Sequence, residues 1–173
     1  IVKQLDDRKL AGRVLCQYAV LAINLGDLEE AEALFVQAVA YHREVDDRLF
    51  LGRSLGQAST VSRLMRRLDE AEERCAQALP LLRELGDRRV EGRVQMQLAN
   101  VYLQRGRLDD ARREARRAVQ LLHEVGDQRS LAYAYGTLGS IELDAGRLQD
   151  AESVDRRAIL LARTLGDRRT EGV

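Results

Sequence analysis

The sequence predicts an all-α fold, a solenoid of stacked antiparallel helix pairs, and three observations carry that prediction. A turn-like signature recurs at a fixed interval. "LGDRR" stands at 85–89 and again at 165–169, with "VGDQR" at 125–129, so Gly86, Gly126 and Gly166 lie 40 residues apart. The phase extends backwards through "DDRL" at 46–49 and "DDRK" at 6–9. Between the turns, apolar residues are spaced by three, four and seven, as on a helix with one buried face, and strong helix formers (Ala, Leu, Glu, Arg) dominate. Such units hide their apolar faces only by stacking on neighbours, so a length of 173 residues is not a count of ordinary domains.

In chain order, residues 1–6 align with the tail of a second helix, since "IVKQLDD" matches "LLRELGD" at 81–87. Four repeats follow, 7–46, 47–86, 87–126 and 127–166, and 167–173 reads as the start of another first helix. The whole is expected to form a single array. In the third repeat, "DRRVEGRVQMQLANVYLQRG" is the first helix and "RLDDARREARRAVQLLHEVG" the second. Asp87 suits an N-cap, because its carboxylate can accept from the unpaired N–H groups of the opening turn. Gly26, Gly106 and Gly146 suit the left-handed position at the inner turn, and Gly86, Gly126 and Gly166 at the outer one.

Asp6, Asp46 and Arg66 replace glycine in this scheme, and Arg66 is expected to be strained or to mark a different turn. Pro80, inside a second helix, is expected to kink it. The second repeat is therefore the least regular by sequence.

The predicted core includes Val94, Leu98, Val101 and Tyr102 on the third repeat's first helix, facing Leu108, Ala111, Ala115, Ala118, Val119 and Leu122 on its second. Alanines recur in register at Ala31, Ala71, Ala111 and Ala151, and at Ala38, Ala78, Ala118 and Ala158, where small residues let backbones approach. Gly12, Gly52 and Gly92 are read as close helix contacts, despite a cost of about 1 kcal/mol each in helix propensity.

These residues resemble the tetratricopeptide-repeat (TPR) family, a helix pair with Leu-Gly and an aromatic in the first helix and spaced alanines in the second. The fourth repeat matches through Tyr135, Leu138, Gly139, Gly146, Ala151 and Ala158, the third through Leu98, Ala99, Tyr102, Ala111 and Ala118, and the first through Tyr18, Ala19, Ala31, Phe35 and Ala38. The period exceeds the family's usual 34. Longer repeats with "LGD" between them resemble the Leu-Gly-Asn-type subclass and arrays of bacterial signalling ATPases and transcription regulators. The resemblance implies a right-handed superhelix whose concave face binds a peptide or protein segment.

Composition narrows the function. Basic and acidic residues total 28 each, so no net charge draws the chain to nucleic acid or an anionic membrane. Cys16 and Cys75 are isolated, giving neither a disulfide framework nor a zinc site. No apolar run approaches the roughly 20 residues of a membrane span. A cytoplasmic, bacterial setting is expected, the latter from arginine outnumbering lysine.

No catalytic residue, metal site or cofactor is expected. His42 and His123 are read as surface histidines, and the pairs Glu29–Glu30, Asp69–Glu70 and Asp109–Asp110 as helix-dipole partners rather than an acid/base pair. No phosphate-binding or nucleophile motif occurs. Arg112, Arg113, Arg116 and Arg117 form a basic face, but Asp109 and Glu114 interleave with it, which argues against nucleic acid.

The candidate site is a polar stripe on the first helices. Arg13, Arg53 and Arg93 share one phase with Tyr133. Gln17, Gln57, Gln97 and Thr137 follow one turn on, then Val20, Thr60, Asn100 and Ser140, then Asn24, Leu64, Gln104 and Asp144. The spacing i, i+4, i+7, i+11 puts them on one face. By the resemblance that face lines the groove, where stacked guanidiniums and amides favour an acidic peptide. The alternative is that each arginine pairs with an acid of a neighbouring repeat, around Glu91 or Glu142.

The sequence thus predicts a non-catalytic interaction scaffold, with a sensing segment of a larger signalling ATPase or transcription regulator as the rival. Neither end carries a polar cap, so the chain is expected to be a fragment of a longer array or to associate end to end as a homodimer, through Val154, Ala158 and Ile159 on the last full helix.

Overall fold

The copies of the turn signature at Asp46, Gly86 and Gly126 each close one helix and open the next. At the third outer turn the Gly126 N–H donates to the His123 carbonyl (3.1 Å) and the Asp127 N–H to the Leu122 carbonyl (3.0 Å), with Gly126 at φ 68°. That pair of bonds satisfies carbonyls the helix end leaves unpaired, and it requires a left-handed residue between them. Asp127 then caps the next helix, its Oδ1 accepting from the Ser130 N–H at 3.2 Å. Asp27, Asp47 and Asp87 do the same for Glu30, Phe50 and Val90. The arginine after the aspartate reaches forward to a glutamate 36 residues on: Arg48 holds Glu84 through two bonds of 2.7 and 2.6 Å, Arg88 holds Glu124 at 2.6 Å, and Arg8 holds Glu44. These pairs are exposed and add little stability, but they tie the two ends of each hairpin.

The computed structural model describes residues 2–166, with side chains from residue 7 onward. Among them are eight helices and no strand: α1 (Val2–Leu25), α2 (Leu28–Glu44), α3 (Arg48–Leu64), α4 (Leu68–Glu84), α5 (Arg88–Gln104), α6 (Leu108–Glu124), α7 (Gln128–Asp144) and α8 (Leu148–Thr164). The chain divides into two compact units, Ile1–Gly86 and Asp87–Val173, at a repeat boundary. In the first, α1 packs on α2, α2 on α3 and α3 on α4, and α1 touches α3. In the second, α5 packs on α6, α6 on α7 and α7 on α8, and α5 touches α7.

Several expectations are corrected. α1 runs straight through Asp6, so no turn separates residues 1–6 from the first repeat. A left-handed aspartate is strained by its Cβ, and a continuous helix avoids that strain. Asp46 (φ 51°) and Arg66 (φ 64°), where the following helix does fold back, adopt the left-handed conformation of the glycines. Pro80 does not break α4, which continues to Glu84. Pro80 and Ala76 both lie on the exposed side, so the carbonyl deprived of its N–H partner is on the wet face. The second repeat is as regular as the third, its helices starting 40 residues earlier at Arg48 and Leu68. The reading of 167–173 as the start of a further helix lies outside the described residues.

The small residues act as predicted. A Cβ on Gly92 would come within 2.9 Å of Leu122, one on Gly52 within 3.3 Å of Leu82, and one on Gly12 within 2.7 Å of His42. His42 therefore stands where Leu82 and Leu122 stand, fully buried, and neither ring nitrogen has a hydrogen-bond partner. The expectation of a surface histidine holds for exposed His123 and fails for His42. The two are 81 residues apart, one step out of phase, so they lie on different faces.

Half-buried ion pairs, and one buried carboxylate, tie neighbouring hairpins. Arg74 of α4 binds Glu32 of α2, Glu70 and the Ala58 carbonyl (3.1 Å). In the second unit Glu142 of α7 accepts from Arg112 and Arg147, each at 2.7 Å. Burial would raise the Glu142 carboxyl, but the hydrogen bonds from Arg147 and Arg112 prevail and hold it below the usual range.

Two outcomes follow for stability. Burial lowers the His42 pKa; Asp47 opposes this and Arg13 adds to it. The unfolded chain then takes up a proton near pH 6.5 that the folded chain refuses, so stability is complete above that pH and falls as pH drops through the lowered folded value. His42→Leu should raise the unfolding free energy by about 1 kcal/mol at neutral pH and remove the loss on the acid side, read by urea unfolding between pH 5 and 8. Arg66→Gly should add about 1 kcal/mol by relieving the left-handed arginine, read the same way.

Candidate functional site

The polar stripes lie on α1 and α3 in the first unit and on α5 and α7 in the second, in each case on two first helices that touch. In the first unit Arg13 is exposed, with its Cζ 4.0 Å from the centre of the Phe50 ring and a guanidinium nitrogen 3.7 Å from Asp47. The Arg53 Cζ lies 5.2 Å from the same ring. One aromatic face system thus gathers two guanidiniums from neighbouring repeats, which would otherwise repel, while leaving Arg13 in contact with water. Gln17 and Gln57, one turn further along, are exposed, and Thr60 is half-buried.

In the second unit Arg93 and Tyr133 are exposed. Asn100 donates to the Met96 carbonyl (3.1 Å) and its oxygen accepts from Thr137 at 3.5 Å, which links α5 to α7. Gln97 is half-buried, and its side-chain oxygen is buried without a hydrogen-bond partner. Ser140 is bonded to the Gly136 carbonyl (3.2 Å), and Gln104 is exposed.

The structure therefore brings Arg13 and Arg53 together, and Asn100 and Thr137 together. The alternative pairing is corrected for Glu142, whose partners are Arg112 and Arg147 rather than stripe arginines. Arg13 does face a neighbouring repeat's acid, but that acid is the cap Asp47. Phe50 was missed by sequence reasoning, because its slot holds Leu10, Val90 and Ser130 elsewhere and reads as variable. Its position three before Arg53 on one helix was the available signal.

Other candidates resolve as structure. Arg113 is bonded to Asp110 (2.8 Å) and Glu114 (3.2 Å), and Arg112 to Glu142, so much of the basic face of α6 is neutralised in place. Glu29, Glu30, Asp69, Glu70, Asp109 and Asp110 all occupy first turns. Cys16 and Cys75 are buried free thiols, and burial pushes Cys75 up to about 11, which leaves it protonated and unreactive near neutral pH. Among the described residues no cluster of three or more His, Cys, Asp or Glu is placed to hold a metal ion, and no helix is long and apolar enough to cross a membrane.

Comparison with known proteins gives a family and a fold. The family described as the MalT-like TPR region matches residues 3–166. Solved structures similar to the chain include BtubC (BKLC) from P. vanneervenii (TM-score 0.79, 18% identity, 92% of this chain), aspartyl phosphate phosphatase F from Bacillus subtilis (0.83, 15%, 92%) and a Rap protein complexed with Competence and Sporulation Factor (0.84, 14%, 93%). The chain spans 66%, 42% and 45% of those three chains. No curated protein sequence matches it.

The shared ring makes a measurable prediction. A double-mutant cycle of Phe50→Leu with Arg13→Gln, followed by urea unfolding, should return a coupling of about 0.5–1 kcal/mol. A coupling of zero would mean the guanidinium rests on the ring without energetic consequence.

Proposed function

Because the chain belongs to the MalT-like TPR region family over nearly its whole length, we propose that it is a non-catalytic interaction scaffold whose first-helix stripes take an acidic peptide or protein segment. The observation that carries this reading is the gathering of Arg13 and Arg53 on Phe50 beside the exposed amides of Gln17 and Gln57. Guanidiniums fixed in place have less rotamer freedom to lose on binding a carboxylate, and adjacent amides can satisfy an extended backbone. In the second unit Arg93 and Tyr133 extend the same chemistry, and the unpartnered Gln97 oxygen is an acceptor in want of an N–H. The complex of the Rap protein with Competence and Sporulation Factor supports the view that this fold can hold a ligand.

A second reading makes the chain the sensing segment of a larger bacterial, cytoplasmic signalling ATPase or transcription regulator. It is favoured by the family's description as a region and by the fraction of the similar structures that the chain spans. The two differ in what happens after capture, not in the surface that captures.

The test is binding of fluorescent acidic, neutral and basic peptides to the wild type and to the double variant Arg53→Glu, Arg93→Glu. The acidic set should bind best, weaken as salt is raised, and lose about tenfold or more in affinity in the double variant, with helicity by circular dichroism unchanged. Equal binding of wild type and variant would remove the stripe from the function.

A further inference from the structure

Two departures from the repeat meet inside the first unit. At the His42 position the other second helices carry Leu82, Leu122 and Ala162, and at the Phe50 position the other first helices carry Leu10, Val90 and Ser130. The His42 imidazole fills the space beside Gly12, fully buried, with its ring centre 5.7 Å from that of Phe50. Neither ring nitrogen has a hydrogen-bond partner, although an imidazole brings polar atoms that burial ordinarily requires to be paired. The leucine of the next two repeats fills the same space without that cost, so packing does not account for the imidazole.

The imidazole stands against the charged end of the polar stripe. Gly12, which it abuts, precedes Arg13, whose guanidinium shares the Phe50 ring with that of Arg53 of α3. From α1 the charge acting on His42 is Arg13. From the turn into α3 it is Asp47, which also lies 3.7 Å from Arg13. On its own helix Glu44 is taken by Arg8. Burial favours the neutral ring, Asp47 pulls it toward the charged form, and Arg13 pushes it back. Asp47 thus divides its charge between the Arg13 guanidinium and any proton on the ring. A carboxylate brought onto Arg13 and Arg53 cancels the repulsion and leaves Asp47 to the imidazolium.

We propose that His42 is a proton-operated regulator of the Arg13–Arg53 pair: capture of an acidic segment there draws a proton onto the imidazole, and acid in turn tightens the capture. The inference rests on the stripe being the capture surface and adds its regulation. The two effects are one coupling free energy seen from either ligand, so they are equal in size. The free chain holds His42 neutral down to below its ordinary value of 6.5, and an occupied site raises its proton affinity. Affinity for an acidic segment is therefore flat well above that pH and rises as the medium turns acid. The second unit has Leu122 in the slot and lacks the response.

The chain has two histidines, so proton NMR follows His42 directly, with exposed His123 as an internal reference. Arg13→Gln should raise the His42 pKa, and so should saturation with an Asp-rich fluorescent peptide, whose carboxylates titrate far lower, at about pH 3.9. From pH 8 to pH 5 the wild type should bind that peptide about threefold tighter or more, with circular dichroism confirming the fold at each pH. His42→Leu, which sets in the slot the residue of Leu82 and Leu122, should capture the peptide as well at pH 8 and show no acid gain. A His42 resonance indifferent to Arg13→Gln, a flat wild-type affinity, an acid gain that persists in His42→Leu, or unfolding before His42 titrates overturns the proposal and leaves the stripe reading standing. Failure to capture the peptide at every pH removes both.

Discussion

Gly12, Gly52 and Gly92 sit where any Cβ would come within 2.7–3.3 Å of the side chain packed against them from the second helix. The hairpins close at a distance set by that absence, and every other contact is built around the resulting spacing. Alanines on the second helices, fully buried at Ala31, Ala71 and Ala111, hold the same close approach on the other side. Packed interiors transmit strain rather than absorb it, so a hairpin interface this close cannot accommodate one extra methyl without a shift. In the fourth repeat the sizes compensate: Ala132 on α7 is larger than the glycine of the other repeats and Ala162 on α8 smaller than their leucine or histidine, and both are buried.

Within that frame three kinds of arginine stand out. Some finish the hairpin, as Arg48 and Arg88 do. Some are drawn inside, as Arg74 and Arg112 are, where their carboxylate partners make burial tolerable. A third kind, Arg13, Arg53 and Arg93, lies on the stripes of the first helices, and there the Phe50 ring gathers Arg13 and Arg53. Phe50 is what turns Arg13 and Arg53 from two separate surface charges into one positive feature. The functional reading rests on this third kind, and the neutral total charge of the chain conceals it.

How much of the site was legible follows from the same division. The stripe itself was readable, because a 40-residue period superimposed on helical spacing fixes which residues share a face. The pairing within it was not. Whether Arg13 meets Asp47 or Phe50, or Arg112 reaches Glu142, depends on how two helices are rotated and shifted against each other, and a long flexible side chain can satisfy several such arrangements. His42 was misplaced for a simpler reason. A histidine is polar by residue type, while its counterparts in the repeat, Leu82 and Leu122, are core leucines.

The sequence by itself determined the helices, their ends and their order, since caps, left-handed turn residues and apolar spacing are local properties that recur in phase. It also determined which faces of the helices are apolar. Only the tertiary structure decided that Asp6 is helical while Asp46 and Arg66 turn, that Pro80 is tolerated, and that the Asp155 carboxylate lies against Gly139. Each of those outcomes depends on what the neighbouring helix does to a residue whose own preference is weak or contrary. Packing free energy across a helix interface exceeds the small local terms, and it is assigned only once the partners are in place.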